Sequence, residues 1–381
     1  MMNINDMYEI EKMKFEPYES CPCGSDQKFK FCCYQKARES KYTKHDSIDY
    51  SDSRLNHIMN KSWENTDFKI CFAFDKERCE ELIKGAHSIQ NNRILNRVSD
   101  DGHVYHIRGE VEKSELKPVF KKLSRNKAST FFGFCNFHDT ELFKPIEQKE
   151  YNQESIQNFL FAFRALTLHY HNKNRELNLL QNHFKEFPDS MLNGQDVYGY
   201  RQALLSISDC AKQYEIFNNN YMESNFEKIR TIYRKIDFEV NFASSASFAV
   251  RKDLKGNTIN EVYTNKKIEK MPLIFITIYP IENGTNILLS YHQDDDVIYH
   301  EYFEQLKRLP ISDLLKHLNF LLIEYTENIF FKPSWIESME DKQKQSILGS
   351  FESSMDLDRK MDLILSDNYY KFDLFNDKST F

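Results

Sequence analysis

The chain holds 381 residues, and 51 Lys and Arg against 58 Asp and Glu leave a net charge of −7. Its surface as a whole therefore repels a polyanion, and any nucleic-acid contact falls to a local basic patch. At roughly 100–200 residues per domain the length allows two or three compact units. The 10 glycines are nowhere two residues apart, which removes the glycine-rich phosphate cradles of dinucleotide folds, P-loop enzymes and kinases.

The longest apolar run, Met271 to Ile281, is about half of the ~20 residues that a membrane span needs. The acidic start at Asp6, Glu9 and Glu11 lacks the basic and apolar regions of a signal peptide, so the expected location is cytoplasmic, with no membrane partner. Thiols in that compartment stay reduced, and the eight cysteines point to metal binding before disulfides. All but Cys210 fall at or before Cys135, so the candidate chemistry is N-terminal.

The expected fold class is α+β. Residues 1–45 read as a polar leader around a cysteine cluster, and Asp46 to Ser53 as a linker. From 60 to 150 the pattern is short and mixed. Ile70 to Phe74 and Val104 to Ile107 are apolar, with a tight turn at Asp100-Asp101-Gly102 between them, which predicts hairpins and one short helix. From 151 to 236, Ile156, Phe159, Leu160, Phe163, Leu166 and Tyr170 keep helical spacing, and Val197 to about Ile236 continues as a second long helix. The stretch 237–381 begins with strands at Phe238–Val250, Thr258–Tyr263, Leu273–Tyr279 and Asn286–Tyr291, with a hairpin turn at Glu282 to Thr285, which predicts an antiparallel sheet. Ser312, after Pro310, is the expected N-cap of a helix to about Asn328, and the tail from Trp335 is acidic and helical or partly disordered.

Cys21, Cys23, Cys32 and Cys33 place four thiolates in one short stretch. Four soft ligands make a closed tetrahedral site for Zn²⁺, and in so small a module the metal replaces a hydrophobic core that cannot form. Cys21-Pro22-Cys23-Gly24-Ser25, followed by Lys28-Phe29-Lys30 and the Cys32-Cys33 pair, resembles the SEC-C motif. The resemblance implies a zinc-stabilised recognition tag that contacts a protein partner.

Cys71, Cys79, Cys135 and His138 form a second candidate set, a Cys₃His site closing a long loop into a small treble-clef-like fold. The order of a cysteine pair, Ala86-His87-Ser88-Ile89, and then a Cys-x-x-ligand knuckle opening a helix resembles the HNH (ββα-metal) nucleases. That resemblance implies a structural zinc, His87 as the base that activates water, and Asp139 as an oxygen ligand for Mg²⁺ or Mn²⁺. The chain departs from the pattern at Ala86, where an acid or a second His is usual, and at Thr130, near the place of the family's Asn, with Asn126 farther upstream. An alternative reading makes His87 a hydrogen-bonded core histidine and the zinc site the support of a binding fold.

Two positive segments flank this set. Lys113, Lys117, Lys121, Lys122, Arg125 and Lys127 outnumber Glu112 and Glu115, and Lys28, Lys30, Lys36, Arg38, Lys41 and Lys44 outnumber Asp26 and Glu39. Each is a candidate track for a phosphate backbone, with Phe29, Phe31, Phe120, Phe131 and Phe132 among them as stacking faces. Asp294-Asp295-Asp296 reads as a turn, Arg164 and His171 as a buried polar pair on one helix, and Cys210 as a small core residue. The expected function is metal-dependent cleavage or engagement of nucleic acid, a chemistry that suits bacterial phage defence. The alternative is a non-catalytic zinc-dependent adaptor for protein partners.

Overall fold

The computed structural model describes residues 9–41, 51–80, 85–260, 270–353 and 373–375. The chain divides into two compact units. The first comprises Met1–Phe68, Val111–Glu115 and Tyr170–Ala211, and the second Lys69–Glu110, Leu116–His169 and Lys212–Phe381. No helix among the described residues is long and apolar enough to cross a membrane.

In the first unit a 3₁₀ turn, Phe29–Phe31, leads into α1, Tyr34–Ser40, and Asp52–Glu64 forms α2. Two long helices, α4 (Ser155–Glu186) and α5 (Gly194–Met222), run through both units. Phe15 packs edge-on against Phe29, Phe184 and Tyr200 at 5.7, 5.8 and 5.5 Å between ring centroids. These rings enclose the buried cysteines of the first cluster. Of the expected linker, residues 46–50 lie outside the described residues. Ser51 to Ser53 instead open α2: the Ser51 hydroxyl accepts from the Arg54 N–H at 3.4 Å, and Asp52 places negative charge at the helix start.

The second unit carries a short antiparallel pair, β1 (Ala86–His87) with β4 (Thr130–Phe131), and then α3, Asn136–Glu147. Its main feature is a seven-stranded sheet. The strands are β2 (His103–Glu112), β3 (Glu115–Ser124), β5 (Ile229–Ile236), β6 (Phe242–Phe248), β7 (Ile274–Ile281), β8 (Gly284–His292) and β9 (Ile329–Phe331), in the order β3-β2-β9-β6-β7-β8-β5. Helices α6 (Asp296–Arg308) and α7 (Ile311–Tyr325) bury Tyr299, Phe303, Leu318 and Leu321 in one core with Phe242, Ile276 and Leu289 of the sheet. The class is mixed helix and antiparallel sheet.

Several sequence expectations are corrected. Ile70–Phe74 forms no strand; its Ile70 and Phe72 N–H groups donate to the Phe132 and Gly133 carbonyls at 3.1 and 2.8 Å. The Asp100–Gly102 turn closes on His103, with Asp101 at φ +49° and Gly102 at +72°. The second long helix ends at Met222 instead of Ile236. Ser224 turns left-handed at φ +58°, and Ile229–Ile236 then pairs residue by residue with His292–Thr285 of β8. The strand expected at Phe238–Val250 narrows to β6. Thr258 makes only an isolated bridge with Lys252, and residues 261–263 lie outside the described residues. The β7–β8 hairpin turns on Glu282-Asn283, with Asn283 at φ +56°. Ser312 lies inside α7; the cap is Pro310, whose carbonyl accepts from Asp313 and Leu314. Beyond β9 the chain forms α8 (Pro333–Ser338) and α9 (Asp341–Ser353); of the rest of the tail, only 373–375 are described.

Two candidate metal centres and the residues beside them

The first centre grows from a tight loop. The Cys21 N–H donates to the Gln27 carbonyl at 2.7 Å, and the Gly24 N–H returns to the Cys21 carbonyl at 3.1 Å. Gly24 sits at φ +77°, and a Cβ there would meet the Gln181 side chain at 2.8 Å, so the turn needs a residue without a side chain. The 3₁₀ turn then carries the chain to Cys32 and to Cys33, the N-cap residue of α1. All four sulfurs lie within 4.8 Å of one another. Cys32 Sγ is 3.7 Å from Cys23 Sγ and 3.6 Å from Cys33 Sγ, close to the ~3.8 Å edge of a tetrahedron built on Zn–S bonds of about 2.3 Å.

The second centre assembles from three places in the second unit. Cys71 lies on the irregular stretch beside residues 132 and 133, Cys79 follows it, and α3 contributes Cys135 as its N-cap residue and His138 in its first turn. Gly133, next to the Cys135 end of α3, leaves room for the Phe131 ring, which a Cβ at that position would overlap. His138 Nδ1 lies 3.5, 3.7 and 3.0 Å from the sulfurs of Cys71, Cys79 and Cys135. Tetrahedral zinc spaces such S and N atoms by about 3.6 Å. Both sets are able to hold a metal ion. Burial pushes the Cys21 and Cys71 thiols up to about 11, so a metal entering either centre displaces protons.

His87 stands on β1, opposite Thr130 of β4. Its imidazole is largely enclosed, and its Nε2 has no hydrogen-bond partner among the described residues. Burial holds its pKa below the ordinary histidine value; Arg164 pushes in the same direction, while Glu147 and the backbone of Arg125 and Gly85 oppose it. Thr130 donates its hydroxyl to the Lys127 carbonyl at 2.9 Å, and the Asn126 side-chain oxygen accepts from Asn91 at 2.9 Å.

Asp139 sits in the first turn of α3, where the helix dipole favours a negative charge. Its Oδ1 is buried without a hydrogen bond among the described residues and lies 4.0 Å from Arg164 Nη2, which donates to Glu147 Oε1 at 2.5 Å. The Arg164 guanidinium also covers the Phe143 ring at 3.8 Å. Burial pushes the Asp139 carboxyl up to about 6, with Arg164 pulling it down and Glu147 pushing it up. Among the described residues, His87, Asp139 and Glu147 do not form a third group of ligand atoms. The sequence expectation places Mg²⁺ or Mn²⁺ beside Asp139; the charge that faces Asp139 and Glu147 here is the Arg164 guanidinium. Glu147 is the residue that sequence reasoning missed; Arg164 is read there as the partner of His171, whereas it pairs with Glu147 and faces Asp139.

The other candidates fall as follows. His171 is buried; its Nε2 meets the Phe68 carbonyl at 3.1 Å and its ring stacks on Phe68, so it and Arg164 each have partners of their own. Cys210 is buried, and Asp295 pairs with Lys270. In the basic segments, Lys121 pairs with Glu110 at 2.9 Å and Lys30 lies over the Tyr18 ring, while Lys44 is outside the described residues. Of the proposed stacking faces, Phe29 and Phe131 are core and Phe120 packs on Phe331, whereas Phe31 is 69% exposed. Comparison with protein-family models, with curated proteins and with solved structures yields no match.

Proposed function

We propose that the second unit carries an HNH-like ββα element that engages nucleic acid and cleaves its phosphodiester backbone. One observation carries this reading. His87 on β1 lies antiparallel to β4, and the chain then enters α3, whose start bears Cys135, His138 and Asp139, the order of parts in the nuclease resemblance. Cys71, Cys79, Cys135 and His138 would hold a structural zinc that pins α3 to the strand pair. His87, its pKa lowered by burial, would accept a proton from the attacking water as the new P–O bond forms and the P–O bond to the departing sugar oxygen breaks, that oxygen taking its proton from solvent. Arg164 supplies a fixed positive charge beside it, and Asp139 would help hold a Mg²⁺ or Mn²⁺ ion. The N-terminal module, similar to SEC-C, would hold a second zinc and dock a protein partner.

The test uses end-labelled single- and double-stranded DNA and RNA, with and without added Mg²⁺ or Mn²⁺, alongside zinc analysis. The expected result is close to two zincs per chain and cutting that falls about 10²-fold or more in His87→Ala, with zinc content retained. Undiminished cutting by that variant rejects His87 as the base. No cutting of any substrate leaves the second reading, a zinc-dependent adaptor, which the 2.5 Å Arg164–Glu147 pair favours because it neutralises the carboxylates that a hard cation would need.

A further inference from the structure

In the second unit a cleft of about 820 Å³ opens among the Asn91–Leu95 turn, the segment that follows α3, and strands β5, β7 and β8. That volume lies in the range of small-molecule sites. Four cations line it, Arg93, Arg97, Lys149 and Lys235, against Glu150 and Glu282 and the Glu239 carboxylate paired with Arg97, and four minus three leaves +1 in a chain whose net charge is −7.

The guanidinium groups are held in place. Arg93 Nη1 donates to the carbonyls of Glu147 and Lys149 at 2.9 and 3.0 Å, and Arg97 Nη1 to Glu239 at 3.2 Å. Each guanidinium has five donors, so anchoring one nitrogen leaves others for a ligand. The Tyr151 and Tyr233 rings lie 4.9 Å apart, tilted by 58°. Tyr233 donates to the Asn286 side-chain oxygen at 2.9 Å, and the Asn286 amide donates to Tyr279 at 3.1 Å. Asn286 is 3% exposed on β8, so two of the three ring positions are fixed from inside the sheet.

Fixed cations beside aromatic faces are the combination that binds phosphate and base together. We propose that this cleft is a nucleotide-binding site, with the phosphate on the Arg93, Arg97, Lys149 and Lys235 side and the base against Tyr151 and Tyr233. The nucleotide is either a free mononucleotide or one residue of a strand. A water-sized void of about 10 Å³ shares Gln90, Ile94, Ile146 and Tyr279 with the cleft and reaches Arg164 on its other wall. Arg93 moreover grips the backbone of Glu147, the partner of Arg164, so an occupant here touches the same elements that position the His87 neighbourhood. The proposal does not depend on cleavage, and a failed nuclease assay leaves it standing.

The experiment titrates the full chain by calorimetry with AMP, GMP, CMP and UMP, with inorganic phosphate, and with a single-stranded hexanucleotide. At least one mononucleotide is expected to bind more tightly than phosphate, and to lose about tenfold or more in Lys235→Glu and in Tyr233→Leu, with circular dichroism unchanged. Competition by the hexanucleotide assigns the site to a strand, and its absence assigns it to a free nucleotide. The proposal is overturned if no mononucleotide binds, if phosphate binds as well as every nucleotide, or if both folded variants bind like the parent.

Discussion

His317 is enclosed on α7, where its Nε2 and the Tyr302 hydroxyl share a hydrogen bond at 2.6 Å. Burial lowers its pKa to about 4, against ~6.5 in an unfolded chain. Above about pH 6.5 neither state is protonated and the stability is whole. Between 6.5 and 4 the unfolded chain takes a proton that the native state refuses, so stability is lost as pH falls, by about 3 kcal/mol from this group at the acid end. The urea midpoint is expected to drop from pH 7 to pH 4.5, and to drop less steeply in His317→Gln; identical slopes would discard the assignment. His292, also lowered to about 4 by burial, steepens the same fall. At this scale residue type was a good guide where chemistry demands a cluster. Thiols at 71, 79 and 135 with an imidazole at 138 drew attention as ligands, and those atoms lie together. Type was a poor guide to the partners of Arg164, because its contacts with Asp139 and Glu147 join two different helices, which no spacing within either helix encodes.

At the scale of elements, the N-terminal module shows how little regular structure can suffice. Its secondary structure around the cysteines is one 3₁₀ turn and the short α1, and the core it shares with α4 and α5 is built around sulfur. Metal removal is therefore expected to loosen residues 9–41: limited trypsin digestion after chelation should cut at Lys28, Lys30, Lys36 or Arg38 well before it does in the metal-loaded protein. An unchanged digestion pattern would mean that the aromatic packing of Phe15, Phe29 and Phe184 holds the module unaided. The buried half of α4 was readable because its apolar spacing is long and unbroken. The end of α5 was not: Ile229, Ile232 and Ile236 suit one helical face as well as they suit an edge strand, and only pairing with β8, far along the chain, selects the strand.

For the molecule as a whole, the β7–β8 hairpin was legible, whereas the β2–β3 hairpin and the strand order were not. β9 has three residues, too few to show any periodicity, yet Phe331 pairs with Tyr105 of β2 on one side and Phe242 of β6 on the other. Its ring is fully buried between Phe120 and Trp335, at 5.9 and 6.1 Å. Phe331→Ala is expected to cost about 3–5 kcal/mol in urea unfolding, and a loss under 1 kcal/mol would show that the sheet closes without it. Because this stitch comes so late in the chain, the β2–β3 hairpin leaves the ribosome long before the segment that joins it to the rest of the sheet has been translated. Until residues 329 to 331 emerge, the nascent protein presents an unpaired strand edge, the kind of surface that chaperones cover.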